Sequence, residues 1–140
     1  MSLKASDLKV GDTHRAQLVS DLTRTQIVQY AGASGDYNPL HTDEIFTTKV
    51  AGYPSVFAHG MLTMGMTGKM LTDHVGDGRL TRFGVRFTGQ VWPGDALEAV
   101  AVVSRIFDVD GEPRAEFDVT TLNQNGQEVL KGYAEARLDP

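Results

Sequence analysis

The chain contains no cysteine, which removes disulfides, thiolate nucleophiles and Cys-ligated metals from the possible chemistry. It is also poor in positive charge: 13 Lys and Arg stand against 18 Asp and Glu, a net charge of -5. That is the wrong sign for general attraction to nucleic acid or anionic membranes, so neither partner is expected. The N-terminal MSLKASDLKVGD is charged and lacks the apolar stretch of roughly 7–15 residues that a secretory signal needs; a cytoplasmic protein is the expectation. No GxSxG, Walker or GxGxxG segment occurs, and no HxxxH pair lies on a predicted helix, so no metal and no cofactor are expected. Internal repeats, low-complexity tracts and Pro/Gly-rich linkers are missing too. What remains is 140 residues, 41% hydrophobic and 22% charged, enough to bury a core without staples, and the expectation is one domain over residues 1–140.

The apolar pattern divides this domain in two. A strand is expected near Thr13 to Val19. Thr23 with Gln26 three residues on reads as a capping box, opening a short helix with Ile27, Val28, Tyr30 and Ala31 as its apolar stripe and an end near Gly32. Residues 32–41, GASGDYNPLH, hold two glycines and an Asn-Pro pair, which favour turns and disfavour αR before the proline; a loop is expected to carry Asp36 and His41. Thr42 or Asp43 can cap a second short helix with Ile45 and Phe46 facing inward. Residues 59–75 then read as a buried helix. Four of the five methionines fall there, and with Leu62, Leu71 and Val75 they put apolar groups on more than one face. Gly65 and Gly68 each cost about 1 kcal/mol against Ala, tolerable where a sheet approaches closely.

From residue 79 the period changes to two. Phe83, Val85 and Phe87 alternate with Arg82, Gly84 and Arg86; WPGD (92–95) turns the chain into a long apolar strand through 97–107; Phe117, Val119 and Thr121 alternate with polar neighbours; QNG (124–126) signals a hairpin before a last strand through 129–138. A buried helix followed by a four-strand antiparallel meander, with one further strand at the N-terminus, predicts an α+β hot-dog fold: a curled antiparallel sheet of about five strands wrapped around one long central helix.

Three groups on this frame can carry chemistry. An acid/base reaction that builds negative charge on an oxygen takes a base, an acid and donors for that oxygen. Asp36 and His41 can serve as the first two, since histidine titrates near neutrality and a carboxyl in an apolar pocket is pushed up into the working range. Asn38 can brace their loop through backbone groups. Gly60 stands where the buried helix should begin, so its N–H is left unpaired by the helix and backed by the positive end of its dipole. By local chemistry alone, however, GD followed by NP reads first as a surface turn, and His41 can simply open the next helix. His59 reads as structural at the helix start rather than as an acid or base. His14 and His74 read as surface residues, the methionines as core filler, and the Arg82/Arg86 pair as a solvated face rather than a phosphate site.

The segment YAGASGDYNPLHTD (30–43) resembles the signature of the MaoC-like, (R)-specific enoyl-CoA hydratases, or hydratase 2, and AHGMLTMG (58–65) resembles that family's second landmark at a suitable distance. The compact length also looks like the catalytic β subunit of the mycobacterial (3R)-hydroxyacyl-carrier-protein dehydratases. The resemblance implies reversible hydration of an enoyl thioester, on CoA or acyl carrier protein, to the (R)-3-hydroxyacyl thioester without metal or organic cofactor. It implies Asp36 and His41 as the catalytic pair, the Gly60 N–H as donor to the thioester carbonyl, and Asn38, His59 and Gly60 on the substrate-binding side. It also implies a homodimer or a heterodimer with another hot-dog subunit. Where some members carry a serine near the end of the second landmark, this chain has Met66, Thr67 and Gly68. Two alternatives share the fold: an acyl-CoA thioesterase, which needs a carboxylate on or near the buried helix where this chain offers only Asp73 near the far end, and a non-catalytic acyl-binding subunit.

Overall fold

A computed structural model describes residues 2–140. Its elements run as strand β1 (Thr13–Val19), helix α1 (Arg24–Ser34), the single helical turn α2 (Pro39–Thr42), helix α3 (Gly60–Val75), and strands β2 (Leu80–Phe87), β3 (Leu97–Val109), β4 (Glu112–Asn123) and β5 (Glu128–Arg137). A 3-10 turn (Ala5–Asp7) precedes β1 and a π-helical turn (Phe46–Val50) follows α2. Among the described residues no helix is long and apolar enough to cross a membrane.

The expected helix starts are present for the expected reasons. Thr23 Oγ1 accepts the Gln26 N–H at 3.0 Å while Gln26 Oε1 accepts the Thr23 N–H at 2.9 Å, satisfying two donors that the first turn of α1 leaves open. The helix runs past Gly32 and stops at Gly35, whose left-handed φ of 76° returns its N–H to the Ala31 carbonyl, a conformation that costs glycine nothing. Only Ile27 and Ala31 of the predicted stripe are buried; Val28 is exposed. Ile45, expected inward, is likewise exposed: Asp43 Oδ1 does cap the next turn through the Phe46 N–H at 3.0 Å, but the π-helical winding that follows places Thr47, not Ile45, inward.

The strand order is β1-β3-β4-β5-β2, all neighbours antiparallel. This corrects the predicted meander. β2 does not pair with β3, the next strand in the chain, but crosses to the far edge and pairs with β5, and only β3-β4-β5 is a true meander. The close β2–β5 passage depends on Gly132, where a Cβ would collide with the Gly84 carbonyl oxygen and the Val85 Cα. Breaks in register at Gln17/Val19, Leu80/Arg82, Val103/Arg105 and Thr121/Leu122 mark irregularities of the kind that bend strands and let a sheet curl around a helix.

The helix lies on the sheet through Met70, Leu71 and Val75, which pack with Ala99, Ala101, Val103, Ala115, Phe117, Val119, Ala134 and Ala136. Alanines on the strands allow close approach, and each fully buried large apolar side chain contributes roughly 1.5–3 kcal/mol. The two glycines of α3 differ: a Cβ at Gly68 would sit 3.2 Å from the Phe83 ring, whereas one at Gly65 meets nothing within 4 Å. Close approach therefore explains Gly68 alone. The helix is also covered on fewer sides than its composition predicts, since Met61, Gly65, Lys69 and Asp73 form an outward stripe. Beneath it, the buried Thr67 hydroxyl is satisfied by the Thr63 carbonyl at 2.9 Å and Thr121 Oγ1 at 2.7 Å. WPGD is held by its aspartate, buried to 6% exposure: Asp95 accepts the Trp92 N–H and the Gln124 side-chain amide, both at 2.9 Å.

Candidate active site

The segment between α1 and α3 folds back over the start of α3, held by local hydrogen bonds and by others that reach 16 to 23 residues along the chain. Asp36 accepts the Asn38 N–H on Oδ1 at 3.2 Å while its own N–H donates to Ser34 Oγ at 3.1 Å. Asn38 then caps α2, its Oδ1 accepting the Leu40 N–H at 3.0 Å, with Pro39 at the first helical position, where a missing N–H is harmless. Asn38 thus braces the segment as its composition suggests. His41 departs from the expected loop: it rides on α2, one helical turn further along. The buried Thr47 hydroxyl pins that turn through the Pro39 carbonyl at 2.9 Å, and Glu44 ties the segment to Arg24 at 2.6 Å and to the Val56 N–H at 3.2 Å.

This folding brings Asp36, His41 and His59 together, with ligand-type atoms of all three within 4.8 Å of one another. The imidazoles of His41 and His59 stack, centroids 3.9 Å apart and planes 25° off parallel. Their hydrogen bonds determine the neutral tautomers. His41 Nδ1 lies 2.6 Å from the Phe57 carbonyl oxygen and His59 Nε2 lies 2.9 Å from the Asp36 carbonyl oxygen; a carbonyl only accepts, so both nitrogens carry hydrogen. His41 Nε2 and His59 Nδ1 are left as acceptors, and the latter is buried without a partner among the described residues. Burial pushes the His41 pKa below the ordinary histidine value; the Phe57 carbonyl opposes it, the neighbouring His59 adds to the lowering and the Asp36 carboxylate acts against it. Asp36 itself is exposed rather than held in an apolar pocket, because residues 32–39 all lie at the surface of this chain.

Asp36, His41 and His59 are also the group among the described residues whose ligand-type atoms could meet at one ion; a carbonyl that takes the other ring N–H is compatible with metal ligation by histidine.

Gly60 is the first residue of α3, and its N–H has no protein acceptor among the described residues. The Phe87 ring lies over it, so close that a Cβ at Gly60 would stand 3.0 Å from two of its carbons. A cleft of about 350 Å³ opens here, lined by Phe57, Gly60, Thr63, Phe87, Gln90 and Val91 among others. Phe57 joins cleft to pair: its carbonyl holds His41, and its ring meets His41, Tyr53 and Trp92 edge-on. The anchoring carbonyl of Phe57 and the ring of Tyr30, 4.8 Å from His59, had no signal in sequence, because a main-chain acceptor and a distant ring announce nothing in residue type. Asp73 pairs with Lys69 at 2.6 Å on the exposed side of α3, away from the cleft lining.

Comparisons with known proteins bear on the family and the fold. A family profile described as MaoC like domain matches residues 7–125. A 3-hydroxyacyl-thioester dehydratase Y of Mycobacterium tuberculosis is 37% identical over 92 residues, covering 64% of this chain and 32% of that protein; a peroxisomal enoyl-CoA hydratase 2 of Arabidopsis thaliana is 34% identical over 107 residues, 74% of this chain and again 32% of the relative. The chain therefore spans about a third of the length of these curated relatives. Among solved structures, the unliganded R-hydratase PhaJ1 from Pseudomonas aeruginosa superposes with a TM-score of 0.85 at 25% identity, covering 99% of this chain and 86% of the other. The fold is the hot-dog fold of such hydratases.

Proposed function

Because this chain belongs to the MaoC-like domain family, we propose that it hydrates a 2-enoyl thioester, carried on CoA or acyl carrier protein, to the (R)-3-hydroxyacyl thioester and catalyses the reverse dehydration. Asp36 and His41 exchange the proton, and the Gly60 N–H receives the thioester carbonyl oxygen. Residues 1–140 are read as one MaoC-like domain.

The observation that carries this reading is the free Nε2 of His41. With Nδ1–H committed to the Phe57 carbonyl, the neutral ring can only accept at Nε2, and the Asp36 carboxylate stands within reach of the same small volume. A water held there gives one proton to the pair as its oxygen bonds to C3. The C2–C3 π electrons shift toward the thioester carbonyl, whose growing negative charge meets the Gly60 N–H at the positive end of α3. The pair then returns the proton to C2. One water has been added across the double bond, and both residues end as they began. In dehydration the same groups take the C2 proton and protonate the departing hydroxyl, so one arrangement serves both directions.

Asn38 supports the segment, and the cleft beside Gly60 receives the acyl thioester. We favour a homodimer over a heterodimer with another hot-dog subunit: β2 is an edge strand with β5 as its single neighbour, and its free side can accept a second copy. Light scattering then gives twice 15.2 kDa. The direct test of activity is to mix the protein with a 2-enoyl-CoA and follow the conjugated thioester absorbance. The expected result is its loss with formation of the (R)-3-hydroxy product; stable absorbance together with release of free CoA from a saturated acyl-CoA would replace this reading by a thioesterase.

A further inference from the structure

His59 stands next to the proposed donor Gly60 and touches both members of the proposed acid/base pair. The residue is 2% exposed, so it offers almost no surface to a substrate. One face stacks on His41 at 3.9 Å, the Tyr30 ring meets it edge-on at 4.8 Å, and its Nε2–H donates to the Asp36 carbonyl oxygen at 2.9 Å. Its backbone is the N-cap of α3, yet its side chain makes no capping bond to the helix. A residue placed there to start the helix would spend its side chain on the open N–H groups of the first turn. Here the side chain reaches back across 23 residues of sequence to hold the Asp36 backbone.

From this we propose that His59 is a positioning residue: its Nε2–H holds the Asp36 main chain and its ring face holds His41, so that the acid/base pair and the Gly60 N–H keep one geometry. The inference rests on the hydratase reading for its kinetic consequence but not for its structural one. Asp36 is exposed and its segment carries Gly35 and Pro39, so few other contacts fix where its carboxylate sits; a misplacement of about 1 Å at such a group costs on the order of 10²-fold in rate. The groups that face His41 are His59, Asp36 and the Phe57 carbonyl, and of these His59 is the one that shields a ring face from water.

Two variants separate the two contacts. His59→Gln can keep an N–H for the Asp36 carbonyl but opens the face of His41; His59→Phe keeps a ring on that face but loses the donor. Proton NMR of His41 against pH reads the stack without any activity. In His59→Gln the His41 titration is expected to move up toward the ordinary histidine value and the acid limb of kcat/KM to move with it. In His59→Phe, which keeps the cover but removes a neighbour that itself lowers His41, the His41 titration is expected to rise less than in His59→Gln while kcat falls by roughly tenfold or more with little change in KM, as loss of positioning rather than binding requires. If both variants melt as folded proteins and neither moves the His41 titration nor lowers kcat, the positioning role is wrong. Should the wild-type chain fail to hydrate any enoyl thioester, the activity reading falls and the titration arm still decides the contact of His59 with His41. Should one variant fail to fold, the other still tests its own contact.

Discussion

The two ends of α3 carry the same motif with different surroundings. At its start His41 stacks on His59 at 3.9 Å; near its end His14 stacks on His74 at 3.8 Å, the planes 7° from parallel. Both pairs include a ring whose pKa burial pushes below the ordinary histidine value, His41 in one and His74 in the other. Each end also has an aspartate close by, Asp36 and Asp73. Neither His14 nor His74 is the surface residue its sequence context suggests, since both are half-buried. What separates the pairs is the hydrogen bonding. At the start of α3 two carbonyls fix the tautomers, a carboxylate stands beside the rings, and the helix presents its unpaired N–H groups and positive pole. At the far end no hydrogen bond to either ring is found among the described residues, and the pole is negative. Two stacked histidines are therefore not a site by themselves; the proposed site is the end at which fixed tautomers and an anion-favouring helix terminus come together.

The comparison can be broken most sharply by removing one ring from each end. His41→Ala should lower hydration of an enoyl-CoA by at least ~10²-fold, the scale of a lost acid/base group, while His74→Ala should leave it within about twofold. Equal losses in the two variants would erase the distinction between the ends. The aspartates give the next largest contrast: Asp36→Asn should cost on the order of 10²-fold in kcat, and Asp73→Asn, which only releases the exposed Lys69 pair, should leave kcat unchanged. Between the ends, Gly60→Ala forces the Phe87 ring to move from 3.0 Å and should reduce kcat/KM by roughly tenfold through the thioester position. Gly65→Ala, with open space for its Cβ, should raise thermal stability by up to about 1 kcal/mol without touching activity.

The smallest effect is in pH, and its sign is determined by burial. His41 and His74 both have folded-state pKa values below the unfolded value of about 6.5. Above that value both states are neutral and stability does not change with these groups. As pH falls from there through the folded-state values, the unfolded chain takes up protons first, and stability is lost. Melting temperature should therefore drop between pH 7 and pH 5, and His74→Gln should flatten part of that drop while keeping the acid limb of kcat/KM in place. The same limb should lie below about 6.5, since the neutral Nε2 of His41 is the acceptor.

Much of the fold was legible from local signals. β1 spans the residues its pattern indicates, the Thr23/Gln26 box opens α1, α3 begins beside Gly60, and the Asn123 side chain takes the Asn125 and Gln127 N–H groups to make the QNG turn. These features depend on neighbours a few residues apart, which a sequence displays directly. The pairing of β2 with β5 was not legible, because nothing in the alternation of Phe83, Val85 and Phe87 says which strand lies alongside. The exposure of Val28 and Ile45 escaped for the same reason: an apolar residue is buried only where another element comes to cover it.

At the site, residue types offered Asp36, His41 and Gly60 as acid/base and donor candidates, but local chemistry read their segment first as a surface turn, and the resemblance of residues 30–43 and 58–65 to a hydratase signature singled them out. Tertiary structure decided the rest. It left Asp36 exposed, laid Phe87 over Gly60 and stacked His59 on His41. Those outcomes depend on main-chain carbonyls and ring faces brought from distant parts of the chain, and such groups are nearly the same at every residue; only folding selects which of them meet.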